Sequence, residues 1–170
     1  RPYDALYDPR RLPRPFGSAA DLADRDPFLE QTRIQHAVDS LSPEAWQVIR
    51  SYYYGSITFL DAMIGRVLDH LQRRGLADRT LVLFTADHGD LLGDFGSCFK
   101  SVHLNGSVRI PFLAAGPGVA AGRVSQALVG LQDLLPTLAA AAGTAPDRPV
   151  HGRDLGGVLA DPGKSVRPFY

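Results

Sequence analysis

The feature that most constrains this chain is a short apolar run that stops on charge. Thr80-Leu81-Val82-Leu83-Phe84-Thr85 gives way at once to Ala86-Asp87-His88-Gly89-Asp90. A run of this length without alternation predicts a strand covered on both faces, central in a sheet with helices on either side. In open α/β sheets, ligands bind beyond the carboxyl ends of such strands. The residues after Thr85 are therefore the first place to look for chemistry.

The flanking segments fit a layered α/β architecture. Ser42-Pro43-Glu44 is a helix start: a capping hydroxyl, a proline at the first helical position and an acid at the positive end of the dipole. Ile57, Leu60, Ile64, Val67, Leu68 and Leu71 recur at three- and four-residue spacing, and Gly75 can close the last turn. One long helix is predicted over about 43–74, with Gly55 a point where it can bend. After the Asp-His-Gly run, residues 87–107 mix polar and apolar types without period, which predicts a long functional loop. A second buried strand is expected at 110–115, a third short one at 127–131, and a small helix at about 134–142 capped by Asp133 and ended by Gly143. Residues 1–41 are rich in Pro, Arg and Asp and read as irregular. The expected organisation is an irregular 1–41, an α/β core portion over 42–155 and a tail over 156–170.

Composition excludes some classes. Eighteen basic and 18 acidic side chains cancel, which gives no electrostatic case for nucleic acid. No apolar run approaches the roughly 20 residues that span a bilayer. The single cysteine, Cys98, rules out an intrachain disulfide and leaves the compartment open.

Asp87 and His88 offer a hard oxygen and a borderline nitrogen to one divalent ion. Lys100 is one of two lysines in a chain that otherwise uses arginine. A compact ammonium suits an anionic oxygen better than a bidentate fork does. By themselves these residues leave a plainer reading open, in which Asp87 caps a turn, His88 bonds the loop and Lys100 is a solvated surface charge.

The wider order of residues narrows this. Tyr53-Tyr54, Phe59-Leu60-Asp61, Ile64-Gly65-Arg66-Val67-Leu68, Leu76-Ala77-Asp78-Arg79-Thr80, Phe84-Thr85-Ala86-Asp87-His88-Gly89-Asp90, Leu92-Gly93-Asp94, Lys100, Ser107-Val108-Arg109-Ile110-Pro111, Gly116-Pro117-Gly118, Asp133-Leu134-Leu135-Pro136-Thr137 and His151-Gly152-Arg153-Asp154-Leu155 follow one another. As an ordered set, over about residues 45–155, they resemble the sulfatase family of the alkaline-phosphatase superfamily. The resemblance implies an alkaline-phosphatase-like α/β fold, with a largely parallel or mixed sheet flanked by helices, present here as a partial domain. It implies metal-dependent hydrolysis of sulfate esters. One divalent ion, calcium foremost with manganese, magnesium or zinc as alternatives, would be held in part by Asp87 and His88. Lys100 matches the lysine that binds the sulfate oxygens, and His88 and Lys100 are the expected catalytic groups. The family nucleophile is a formylglycine installed by a maturation enzyme, and the implied substrate is a small-molecule or saccharide sulfate ester.

The chain also departs from the family pattern. It has no Cys-x-Pro-Ser-Arg or Ser-x-Pro-Ser-Arg motif. Cys98, followed by Phe99-Lys100-Ser101, reads as a packing residue or incidental loop thiol. The early acidic metal pair is missing, since Asp21, Asp24 and Asp26 stand in the wrong context. The chain thus reads as the later half of a catalytic domain, with the nucleophile outside it. Phe95 stands where many relatives have His, and Asn105 where many have Glu. His103 and His151 read as structural, Arg109 as a partner for a loop carboxylate or for substrate, and Tyr52, Tyr53 and Tyr54 as helix packing. Two rival functions stay open: a phosphonate monoester hydrolase or phosphodiesterase of the same superfamily, and a non-catalytic remnant.

Overall fold

A computed structural model describes residues 2–22, 30–31, 33–34 and 38–168. Asp24 and Asp26 lie outside the described residues. The chain divides into two units. One comprises Arg1–His70 and His88–Ile110, the other Leu71–Asp87 and Pro111–Tyr170.

The first unit holds all but the last turn of helix α1, Pro43–Arg73. The expected start is realised: the Ser42 hydroxyl accepts from the Ala45 amide at 3.2 Å. At the far end Gly75 adopts φ 63°. Its amide donates to the Gln72 carbonyl, and the Leu76 amide donates to the Leu71 carbonyl, both at 3.0 Å. This is the double closure that a left-handed glycine permits.

The helix runs unbroken through Gly55, and the glycine there has a different cause. A Cβ at Gly55 would collide with the Tyr3 carbonyl oxygen. The N-terminal segment lies against this face. Tyr3 meets Phe59 edge-on at 5.4 Å and Tyr7 meets Tyr54 at 5.5 Å. The Tyr7 and Thr58 hydroxyls share a hydrogen bond of 2.7 Å, and Gln47 donates to the Leu12 carbonyl at 3.2 Å. Tyr54 is thus a packing residue as expected, whereas Tyr52 is more than half exposed. Much of the expected irregularity before residue 41 takes the form of single 3-10 turns at Tyr3–Ala5, Pro9–Arg11, Ala19–Leu22 and Val38–Ser40. Asp21 serves such a turn, accepting from both the amide and the hydroxyl of Ser18.

The second unit holds the sheet. Strand β1, Val82–Thr85, pairs antiparallel with β2, Phe112–Ala115, in the register Val82↔Ala115 to Thr85↔Phe112. The α/β class is as expected, but the pairing among the described residues is antiparallel. A mixed sheet admits such a pair, and it brings no crossover helix with it. β1 is half-buried throughout rather than covered on both faces, and β2 alternates with Leu113 exposed. The third strand expected at 127–131 does not form. Its backbone is served by side chains instead, with the Ser125 hydroxyl accepting from the Ala127 amide at 3.1 Å and donating to the Pro162 carbonyl at 2.9 Å. Gly116, at φ 117°, follows β2 at the end of the pair away from the connecting loop, where a Cβ would strike the Thr80 carbonyl.

Numbered on from α1 in chain order, α2 is Asn105–Val108 in the first unit, and α3, Leu134–Ala141, and α4, Gly156–Ala160, belong to the second. Asp133 does not cap α3 through its side chain, against expectation. Its carboxylate is fully buried and serves four other donor groups. It accepts from the Gly130 and Arg153 amides, both at 2.9 Å, and from both terminal nitrogens of Arg167 at 2.8 and 2.5 Å. The Thr137 hydroxyl completes the knot, donating to the Asp133 carbonyl at 2.6 Å and accepting from the Leu155 amide at 2.9 Å. Among the described residues no helix is long and apolar enough to cross a membrane.

Candidate active-site loop

The loop that follows β1 is tightly ordered by its own backbone. The Gly89 amide donates to the Ser107 carbonyl at 2.8 Å, Leu91 to Phe99 at 3.0 Å and Gly93 to Ser97 at 2.8 Å. These rungs fold residues 89–107 back on themselves around Leu91, which is 2% exposed and packs with Val102 and Leu104. Gly89 is obligatory here, because a Cβ would overlap the Gly106 carbonyl. The glycine that follows His88 is thus required by a close backbone approach.

Four non-glycine residues take left-handed backbone in one short stretch: Leu92, Phe95, Phe99 and Ser101, with φ of 48°, 54°, 63° and 79°. Each costs about 1 kcal/mol or more and persists only where surroundings over-determine it. Two of them flank Lys100, which is exposed. What over-determines the path is partly visible. One oxygen of Asp90 accepts from the Leu92 amide at 2.9 Å and from the Phe99 amide at 3.0 Å. Arg50, from α1, donates to the Leu92 carbonyl at 3.0 Å and lies 3.4 Å from Asp94, with its side chain 12% exposed.

Phe95 is tied to the N-terminal segment. Its amide donates to the Phe16 carbonyl at 2.7 Å, the Phe16 amide donates to Asp94 at 2.9 Å, and the two rings meet edge-on at 5.5 Å. Gly93, at φ 95°, has Pro15 and Trp46 where a side chain would stand.

The expected site residues fall as follows. Asp87 is exposed at the end of the β1 segment. His88 is half-buried, with Nδ1 2.8 Å from its neighbour's carbonyl, Gly89 O. Lys100 adjoins Phe99, which is bonded to Leu91 and Asp90. His103, Arg109 and His151 are exposed. Burial, and then the charge of Asp90, push the Cys98 thiol up to about 11. It therefore stays protonated at neutral pH, unlike a reactive thiol. Sequence reasoning missed Asp90, Arg50 and Phe16. For Asp90 one signal existed: an aspartate two residues before an amide it can cap. For Arg50 and Phe16 there was none, because their partners lie more than 40 positions away.

The family model described as Sulfatase matches residues 10–144. The chain belongs to the sulfatase family. This sulfatase chain is 36% identical over 140 residues to a choline-sulfatase of Rhizobium meliloti (strain 1021), a match covering 81% of this chain and 27% of that protein. It is 33% identical over 141 residues to an arylsulfatase of Clostridium perfringens (strain 13 / Type A), covering 80% and 29%. Among solved structures, a phosphonate monoester hydrolase from Silicibacter pomeroyi superposes with a TM-score of 0.87 at 32% identity, over 98% of this chain and 35% of that one. The sulfatase chain thus spans less than a third of the length of these curated relatives.

Proposed function

We propose that the protein to which this chain belongs hydrolyses sulfate esters, and that this chain supplies a metal- and anion-binding part of its active site. Asp87 and His88 are ligands of one divalent ion, and Lys100 is the cation on the sulfate oxygens. The observation that carries this reading is the family match running through all three residues, on a loop whose strained backbone presents an exposed lysine.

The residues suit a metal. A carbonyl only accepts, so the contact between His88 Nδ1 and the Gly89 carbonyl puts a proton on Nδ1, and in the neutral ring that a metal takes up, the lone pair is then on Nε2. That is the tautomer of a ligating imidazole whose other nitrogen is held by the protein. The exposed Asp87 carboxylate offers oxygen. Among the described residues no three His, Cys, Asp or Glu side chains gather into a metal-holding group, so these two fill only part of a coordination shell. Carboxylate with imidazole suits calcium first, with manganese, magnesium or zinc accommodated by the nitrogen. When bound, the ion supplies Lewis-acid polarisation of the ester oxygens. Lys100 neutralises charge on a tetrahedral anion and on its transition state, and His88 sets the protonation of the attacking group beside it. That group is a formylglycine outside these 170 residues, made by a maturation enzyme. The substrate class is a small-molecule or saccharide sulfate ester.

A second reading, phosphonate monoester hydrolysis, is favoured by the superposition over 98% of the chain. Sulfate and phosphonate monoesters are both tetrahedral monoanions, so one metal and one ammonium serve either. The full-length protein, co-expressed with its maturation enzyme, should be assayed on aryl sulfate, aryl phosphonate and phosphodiester. A higher kcat/KM for the sulfate supports the first reading. Turnover of phosphonate or phosphodiester with none of sulfate overturns it.

A further inference from the structure

We infer that Asp90 is a positioning residue that sets where Lys100 presents its ammonium, an inference that rests on the anion-binding reading of Lys100. A single carboxylate oxygen, Oδ1, takes the amides of Leu92 and Phe99, seven positions apart. It therefore clamps both ends of the strained 92–99 turn. The other side of Phe99 is held too, since its carbonyl accepts from the Leu91 amide at 3.0 Å. With both polar groups of Phe99 engaged, its left-handed φ of 63° is fixed. That angle sets the direction in which the chain enters Lys100.

Removing the carboxylate frees the Phe99 amide. A bulky residue then relaxes toward ordinary backbone angles, and the Lys100 side chain swings away from its bearing. Asp90 is close to the metal pair in sequence, yet its role here is that of a hydrogen-bond acceptor from backbone. Its charge is not what the geometry uses. An amide oxygen at the same place can accept from the same two donors.

The test uses the full-length, matured enzyme in four forms: Asp90→Ala, Asp90→Asn, Lys100→Ala and the Asp90→Ala/Lys100→Ala pair. Measured are kcat and KM on an aryl sulfate, or on an aryl phosphonate if that is what the enzyme turns over, the inhibition constant of inorganic sulfate, and melting. Asp90→Ala should lower kcat by roughly tenfold or more with a smaller change in KM, and weaken inhibition by sulfate. In the Lys100→Ala background the same change should cost less than about twofold, because a misplaced lysine and a missing one are equivalent. Asp90→Asn should stay within about threefold of the parent.

Multiplicative losses in the double variant overturn the inference, as does an Asp90→Asn enzyme impaired tenfold. If Asp90→Ala does not accumulate as folded protein, Asp90→Asn decides alone, retained turnover supporting and a tenfold loss refuting. If Lys100→Ala leaves kcat and sulfate inhibition unchanged, the anion-binding reading itself falls. That outcome is distinct from additivity of two real losses.

Discussion

Two carboxylates, Asp90 and Asp133, hold backbone in their respective units, and they do so for different ends. Asp133 is 0% exposed and each of its donors comes from the protein, Arg167 included at 8% exposure. The arrangement is closed off from solvent. Asp90 is half-buried, and its Oδ1 accepts from two amides of a turn containing three left-handed side-chain-bearing residues, Leu92, Phe95 and Phe99. The turn ends beside an exposed lysine. A satisfied buried pair marks stability. Strain held in place beside an exposed charge is where the proposed anion contact falls. The same residue type thus serves a buried scaffold in one unit and the proposed site in the other.

This contrast can be broken at several points. The largest effect is expected at Asp87. Asp87→Ala in the full-length protein should remove metal-dependent turnover and lower bound metal, measured by elemental analysis; full metal and full rate would remove Asp87 from the site. Next is Asp133→Ala, which removes the carboxylate that takes both terminal nitrogens of the buried Arg167 guanidinium. It should destabilise by about 3–5 kcal/mol in denaturant titration, with activity per folded molecule unchanged. Loss of kcat without loss of stability would make Asp133 functional after all. Lys100→Ala should show the converse, a rate reduced by roughly 10²-fold with stability altered by less than about 0.5 kcal/mol. A rate unchanged by the substitution would return Lys100 to the solvated surface.

Acid provides a subtler test. Burial raises the Asp133 carboxyl, but hydrogen bonds from Arg167 and from the Arg153 and Gly130 amides outweigh it and bring the group down to about 2. A folded value below the unfolded 3.8 means stabilisation that is full above the unfolded value. It is lost as pH falls from about 4 through 2, and amounts to roughly 2 kcal/mol. Asp133→Asn should flatten that limb of the stability profile; an unchanged limb would place the acid sensitivity elsewhere. The smallest effect is at Cys98. With its thiol near 11, alkylation at neutral pH should be slow, and Cys98→Ala should leave kcat within about twofold. Rapid labelling with loss of activity would contradict its assignment as a packing thiol.

Much of this protein was legible in the sequence, for identifiable reasons. The helix Pro43–Arg73 follows from local signals, Ser42 and Gly75 at its ends and a three-to-four spacing between them. β1 and β2 follow from apolar runs cut off by Asp87 and Gly116. The order of short motifs through Asp87, His88 and Lys100 identified the family. These are local or ordered properties, and a linear chain carries them.

Tertiary structure decided the rest. Pairing direction, the absence of a third strand at 127–131 and the partial exposure of β1 depend on which segments meet. Gly55 reads locally as a point where the helix can bend, whereas its reason, the Tyr3 carbonyl, lies 52 positions away. Asp133 reads as a cap because that is the local use of an aspartate before a helix. Its actual partner, Arg167, is 34 residues on. The sequence by itself named the residues proposed to carry the chemistry, Asp87, His88 and Lys100. Only the fold selected the residues that hold them, because a hydrogen bond across a closed loop leaves no periodicity for a sequence to show.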